Sequence, residues 1–192
     1  IRITLSDISV GMLRDARRNI GSDDLRFSFR SFDCQQIPYE AETFDIVIAN
    51  HVLFYCENVS KACQEICRVL KSGGRLLAST YGADHMKEVS ELASGFDDRI
   101  ILAAGKLDEK FGKENGMALL RKSFHTVVWL PYEDALEVPD AEPLISYILS
   151  CHGNQNQYLL DRYKEFCTYV RKKTAKGFHI TKDAGIFLCE KS

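Results

Sequence analysis

Phe44-Asp45-Ile46-Val47-Ile48-Ala49-Asn50-His51 is the stretch that decides the fold. Nearly continuous apolar residues up to Ala49 suit a strand buried on both faces, the kind found in parallel sheets flanked by helices. The flanks agree. A helix is predicted near 58–70, with Val59, Ala62, Cys63, Ile66, Val69 and Leu70 as its buried stripe. Ser72-Gly73-Gly74 is read as its stop, and Arg75 to Thr80 as the next strand. Upstream, a strand at 2–6 leads into a helix near 9–19. Ser9 is its candidate N-cap and Gly21 its C-cap, with Val10, Leu13, Ala16 and Ile20 on one face. A further strand covers about 26–32 and ends at Asp33-Cys34. Strands alternating with helices predict an α/β fold: a three-layer Rossmann-like sandwich, mostly parallel, with an antiparallel C-terminal strand.

The second half is less regular. Residues 84–122 read as helix in pieces, broken by Gly95, Gly105, Gly112 and Gly116, and form a candidate lid or cap within one domain spanning 1–192. A strand at Thr126 to Leu130 is expected to bend at Pro131 and resume at Ala135 to Val138. Asp140 caps a helix over about 141–150, and another helix spans roughly 155–173. Two extended pieces close the chain, 178–183 and 185–189, with a turn between them.

Composition excludes several classes of function. The 192 residues suffice for one domain with a sizeable core. Formal net charge is -2, and no long basic block marks a nucleic-acid partner. Arg171-Lys172-Lys173 with Lys176 reads as a solvated helix end. No apolar run is long enough to span a membrane. Arg2, Asp7, Arg14 and Asp15 interrupt any signal peptide at the first residues. Seven cysteines at irregular spacing read as free thiols in a reducing cytosol. Cys63 and Cys67 share a helix face, but two thiols do not complete a zinc site, so no metal is expected.

In open α/β sheets ligands bind beyond the carboxyl ends of the strands. Asp7 stands there after the first strand, Asp33-Cys34 after the second, Asn50-His51 after the third and Thr80-Tyr81 after the fourth. A carboxylate at such a tip is a good acceptor for a ribose diol. A second one, a strand away, can accept from an adenine amino group.

Four motifs in this order resemble the class I S-adenosylmethionine-dependent methyltransferases, in the branch that holds ubiquinone- and menaquinone-pathway and other small-molecule enzymes. They are Ser6-Asp7-Ile8-Ser9-x-x-Met12-Leu13, Asp33-Cys34-Gln35-Gln36-Ile37-Pro38, Phe44 to Leu53, and Leu70-Lys71-Ser72-Gly73-Gly74-Arg75-Leu76-Leu77. The resemblance covers about Ile1 to Tyr81. It implies that Asp7 binds the ribose hydroxyls of S-adenosylmethionine and that Ile8 packs on adenine. Asp33 would accept from the adenine amino group, and the Cys34 N–H would meet a ring nitrogen. Asn50 would line the methionine end, with His51 beside it. The family's Gly-rich loop has no counterpart here, so one strand–helix unit of about 30 residues is expected to be absent. The edges thereby left open are expected to pair in a new register or be covered in a homodimer.

Methyl transfer from a sulfonium needs alignment of an acceptor and exclusion of water, with a base only where a proton must leave. His51 and His85 are the candidate bases. Tyr55, Tyr81 and Trp129 are candidate substrate contacts and suit a small organic acceptor. Two other readings share the strand-tip acid: an NAD(P)-dependent oxidoreductase, and a degenerate methyltransferase-like binding or scaffold protein without activity.

Overall fold

The computed structural model describes residues 1–21, 24–103 and 107–192. Its first unit is β1 (Ile3–Asp7), α1 (Val10–Ile20) and β2 (Phe27–Ser31), with β1 and β2 parallel from Ile3↔Phe27 to Asp7↔Ser31. The predicted caps hold α1 in place. Ser9 Oγ accepts from the Met12 N–H at 3.3 Å. Gly21, at φ 93°, donates its N–H to Arg17 O at 3.0 Å.

The second sheet has the order β3-β4-β6-β5, from β3 (Phe44–Asn50), β4 (Leu70–Tyr81), β5 (Thr126–Val138) and β6 (Phe178–Glu190). β3 and β4 are parallel, and β6 runs antiparallel between β4 and β5. Helices α2 (Val59–Val69), α3 (Lys87–Phe96), α4 (Leu107–Phe111) and α5 (Lys113–Leu120) lie in the connections before β5. Helices α6 (Ala141–Ser150), α7 (Gln155–Leu159) and α8 (Tyr163–Thr174) join β5 to β6. This is the expected α/β architecture, with parallel pairs in the first half and an antiparallel last strand. β1 pairs with β2 and β3 with β4, so the two inner edges do not join in a new register.

Two apolar clusters draw on the four-stranded sheet and its helices. One gathers Leu53, Phe54, Ala62, Cys63, Ile66, Leu76, Ala78, Phe111, Phe187 and Cys189. The other gathers Val89, Leu92, Leu144, Ile145, Ile148, Phe166, Val170 and Ile180. Side chains alternate along a strand, so Phe187 and Cys189 of β6 face the first cluster while Ile180, of opposite parity, faces the second.

Several expectations change. β3 is not buried on both faces: Ile46 and Ile48 are 57% and 70% exposed, and only Ala49 is buried. Helix α1 buries none of its residues. Helix α2 ends before Ser72-Gly73-Gly74, at Leu70, which already has an extended ψ of 140°. The Gly-Gly pair instead lies inside β4, where the β3 register shifts between Phe44 and Ile46. Gly73 sits at φ 71°, and a Cβ on Gly74 would lie 2.8 Å from Lys71 O. Gly112 does separate α4 from α5, but Gly95 and Gly116 are inside helices. A Cβ on Gly95 would meet the Tyr169 hydroxyl at 2.7 Å, and one on Gly116 the Phe187 ring at 2.5 Å. Gly105 lies outside the described residues.

Pro131 does not bend β5 out of the sheet. β5 is an edge strand, where a missing N–H can face away from the ladder, and Pro131 stays in register with Gly185. The predicted helix over 155–173 is two helices, interrupted at Leu160-Asp161-Arg162. The last two extended pieces are one strand, held by continuous pairing to β5 from Val138↔Phe178 to Thr126↔Glu190.

Candidate functional site

The tips of β1, β2, β3 and β4 carry the residues singled out above. Asp7 ends β1. Its Oδ1 accepts from the Ser9 N–H at 2.7 Å, and among the described residues Oδ2 has no partner. Ile8, next in the chain, is 72% exposed. A bare apolar side chain beside a free carboxylate oxygen fits a flat heterocycle joined to a diol. Asp33 follows β2. Its carboxylate accepts from the Gln35 N–H at 2.8 Å and from Gln35 Nε2 at 3.0 Å. Gln35 Oε1 in turn accepts from the Asn58 N–H at 2.8 Å. That bridge ties the β2 tip to the N-cap of α2, where Asn58 Oδ1 accepts from the Lys61 N–H. The half-buried Cys34 Sγ touches Cys56 Sγ at 3.2 Å.

Asn50 and His51 stand at the end of β3. The Ser79 hydroxyl donates to Asn50 Oδ1 at 2.6 Å and accepts from the His51 N–H at 3.0 Å. This bridge from β4 holds His51 at φ 48°, a left-handed conformation uncommon for a residue with a Cβ. The His51 ring lies 6.3 Å from Tyr81, which stacks on His85 at 5.1 Å. Phe54 joins them, 5.4 Å from Tyr81 and 4.7 Å from Tyr55. Tyr55 is largely exposed. The structure thus brings together His51, Tyr55, Tyr81 and His85. Trp129 is not among them: its ring packs on Phe187 at 4.6 Å, over Gly185, further along the sheet.

Both histidines are held neutral. Burial is the main cause, and the nearby Lys182 charge adds to it, so both titrate below the ordinary 6.5. His85 Nδ1 is buried with no hydrogen-bond partner among the described residues, an uncommon state for a buried polar atom. The Tyr81 hydroxyl is pushed up by burial and then by Asp108, so it stays protonated at neutral pH.

Sequence reasoning missed the residues that support this cluster. The Gly82 N–H donates to Asp183 O and the Met86 N–H to Thr181 O. Glu88 accepts from both the Thr181 N–H at 2.9 Å and the Thr181 hydroxyl at 2.5 Å. Together these fix the 82–86 loop, and with it His85, to β6. A Cβ on Gly82 would lie 2.2 Å from Asp183 Oδ2, so a lone glycine after a strand was the one signal available. Ser79 and Lys182 gave none. Among the described residues no group of three metal-ligating side chains comes together, and no helix is long and apolar enough to cross a membrane.

Known proteins resemble this chain in sequence and in fold. Residues 1–78 match the family described as methyltransferase domain. A malonyl-acyl-carrier-protein O-methyltransferase from Enterobacter lignolyticus is 28% identical over 135 residues, covering 70% of this chain and 51% of that protein. Its counterpart from a Methylovorus species is 31% identical over 143 residues, covering 69% and 47%. The chain thus spans about half the length of these curated relatives. Among solved structures, a methyltransferase-like protein from Bacillus halodurans superposes with a TM-score of 0.65 at 17% identity, covering 100% of this chain and 83% of that one. The YcgJ protein of Bacillus subtilis does so at 0.58 and 16%, covering 99% and 82%. At that identity the likeness establishes the fold.

Proposed function

We propose that this chain, which over residues 1–78 belongs to the methyltransferase-domain family and has the class I methyltransferase fold, serves S-adenosylmethionine-dependent methyl transfer to a small organic acceptor. The observation that carries the reading is the pair of carboxylates at the tips of two adjacent parallel strands, Asp7 and Asp33, with bare Ile8 beside the first.

Asp7 Oδ2 accepts from the ribose diol, Ile8 covers one adenine face, and Asp33 with the Cys34 N–H reads the adenine edge. Asn50 and His51 line the methionine end. The cofactor supplies a methyl group already activated by a positive sulfur. The chain's own residues orient the acceptor and keep water out. Tyr55 and Tyr81 form the aromatic wall on which the acceptor lies. His51 and His85, neutral by burial, take the proton of an acceptor that must lose one. Helix α4, from the candidate lid, would help close the mouth: the hydrogen bond from Thr80 Oγ1 to Phe111 O at 2.7 Å ties it to β4 and supports that role. The seven free cysteines support a cytoplasmic setting. A second copy laid against Ile46 and Ile48 is the assembly the exposed face of β3 supports.

Isothermal titration tests the reading. S-adenosylhomocysteine is expected to bind where NAD does not. Asp7→Asn is expected to weaken that binding by roughly 10–100-fold, the cost of one hydrogen bond to a charged group. A folded wild-type chain that binds neither ligand would overturn it in favour of an inactive scaffold, and one that binds NAD alone in favour of an oxidoreductase.

A further inference from the structure

Seven cysteines are spread through the described residues, and one pair of sulfurs is in contact: Cys34 Sγ and Cys56 Sγ, 3.2 Å apart. Most buried thiols act as small apolar groups, which accounts for Cys63, Cys167 and Cys189. The Cys34–Cys56 pair differs in three ways. Its sulfurs are already within about 1 Å of bonding distance, since a disulfide spans about 2.05 Å. Its two members come from loops, the one after β2 and the one closing the 3-10 turn Leu53–Tyr55, and not from the rigid interiors of elements. Cys34 is half-buried while Cys56 is buried, so an entering reagent meets Cys34 first.

The pair also divides its roles. The contact between the two thiols holds Cys34 below its ordinary value and pushes Cys56 well above. Cys34 is therefore the attacking thiol and Cys56 the resolving one.

We infer that Cys34 and Cys56 form a reversible thiol–disulfide site, closed by a small-molecule disulfide, and that closing it deforms the strand-tip cleft. The Cys34 thiolate attacks one sulfur of the reagent. The reagent's other half leaves with the electron pair and takes up a proton. Cys56 then gives up its proton and attacks the Cys34 sulfur of the mixed disulfide, releasing the second half as thiol. Two protein thiols are oxidised to one disulfide, and one small disulfide is reduced to two thiols. The closure draws the loop after Asp33 toward the segment after His51, across the mouth between β2 and β3. The effect on ligand binding rests on the cofactor reading above; the disulfide does not.

The test uses the whole chain. Oxidised glutathione is added, remaining thiols are alkylated, and peptides are mapped by mass. The expected product is two hydrogens lighter, cross-linked Cys34 to Cys56, free of glutathione, and restored by dithiothreitol. In Cys56→Ala, glutathione is expected to remain on Cys34. S-adenosylhomocysteine is expected to bind the oxidised chain about tenfold or more weakly, in line with the cost of roughly 1 Å of displacement in a site. Full alkylation of both cysteines after oxidation would overturn the site, as would wild-type protein that keeps glutathione on Cys34. A cross-link that leaves affinity unchanged would overturn the coupling to the cleft. A reduced chain that binds no S-adenosylhomocysteine would sink the cofactor reading, and the peptide map would still decide the thiol pair.

Discussion

His51 is the residue at which conformation and chemistry meet. Its φ of 48° costs on the order of 1 kcal/mol for a side chain with a Cβ, and the Ser79 bridge to Asn50 and the His51 N–H maintains it. Glycine adopts this conformation freely. His51→Gly is therefore expected to raise the denaturant midpoint modestly, by up to about 1 kcal/mol of stability, while lowering methyl transfer through loss of the imidazole. A variant that loses both would show that the ring serves packing. The two partly desolvated histidines also predict a pH dependence with a definite sign. Their folded values lie below 6.5, so between those values and 6.5 the unfolded chain holds protons that the folded chain does not. Their contribution to stability is fully present above pH 6.5 and is lost as pH falls through the folded values. Unfolding at pH 7.5 and 5.5 should show that loss in the wild type and a smaller one in His85→Phe, and kcat/KM should stay flat through neutral pH and drop only below 6.5. Asp7, Asp33, Asn50 and His51 were legible as strand-tip residues because hydrophobic runs mark where strands end. The placing of His85 beside Tyr81 was not, because it depends on hydrogen bonds from Gly82 and Met86 to a strand about 100 residues later.

Among elements, the connection between β2 and β3 shows how side chains replace regular structure. Arg68 of α2 donates to Ile37 O at 2.9 Å and Tyr39 O at 2.8 Å, and Glu65 Oε2 accepts from the Ile37 N–H at 3.0 Å and from Arg68 at 2.8 Å. Three backbone groups of an irregular loop thus find partners on one helix, and the loop hangs the β2 tip beside that of β3. The Arg68 pairing, with the Ile37 N–H adding to it, holds the Glu65 carboxyl at about 2. Glu65→Gln is expected to cost about 2 kcal/mol, the scale of a charged hydrogen bond exchanged for a neutral one, read from the denaturant midpoint near pH 7. Because the folded value is depressed, the contribution is present above the ordinary 4.5 and lost as pH falls toward 2, so wild type and variant should converge in acid. The same scale explains the misread strands. Asp183, Ala184 and Gly185 are poor strand formers, and a turn is expected between 183 and 185, but continuous pairing to β5 overrides local preference. Gly185 is present because a Cβ there would lie 2.5 Å from both Leu130 O and the Trp129 ring. Hydrophobic pattern located β1 to β4 and their order. It did not reveal that one face of β3 is bare, since an apolar run records what a strand can bury and not what covers it.

For the whole molecule the question is whether two apolar clusters make one cooperative unit. β6 argues that they do. It carries Phe187 and Cys189 into the first cluster and Ile180 into the second, and it is paired to β5 along its full length. The Thr181–Glu88 hydrogen bonds clamp α3 to the same strand. Neither cluster can come apart without exposing backbone that the other holds in register. Trp129, the single tryptophan, reports on the first cluster through its contact with Phe187. Phe166, fully buried at 0% exposure, belongs to the second, packed edge-on against Phe96 at 5.2 Å. Phe166→Ala removes a large aromatic side chain and is expected to cost about 3–5 kcal/mol. In one cooperative unit that loss appears at a site the mutation does not touch: Trp129 fluorescence and far-UV circular dichroism should shift together to the same lower midpoint. If Trp129 kept its wild-type midpoint while the helical signal fell early, the clusters would be separate units and β6 a flexible hinge between them. The unit of β1, α1 and β2 lies outside both clusters, with no residue of α1 buried. Its amides should exchange with solvent ahead of that common transition, which makes the β1 side of the proposed cofactor site the part of the fold that a bound ligand would order most.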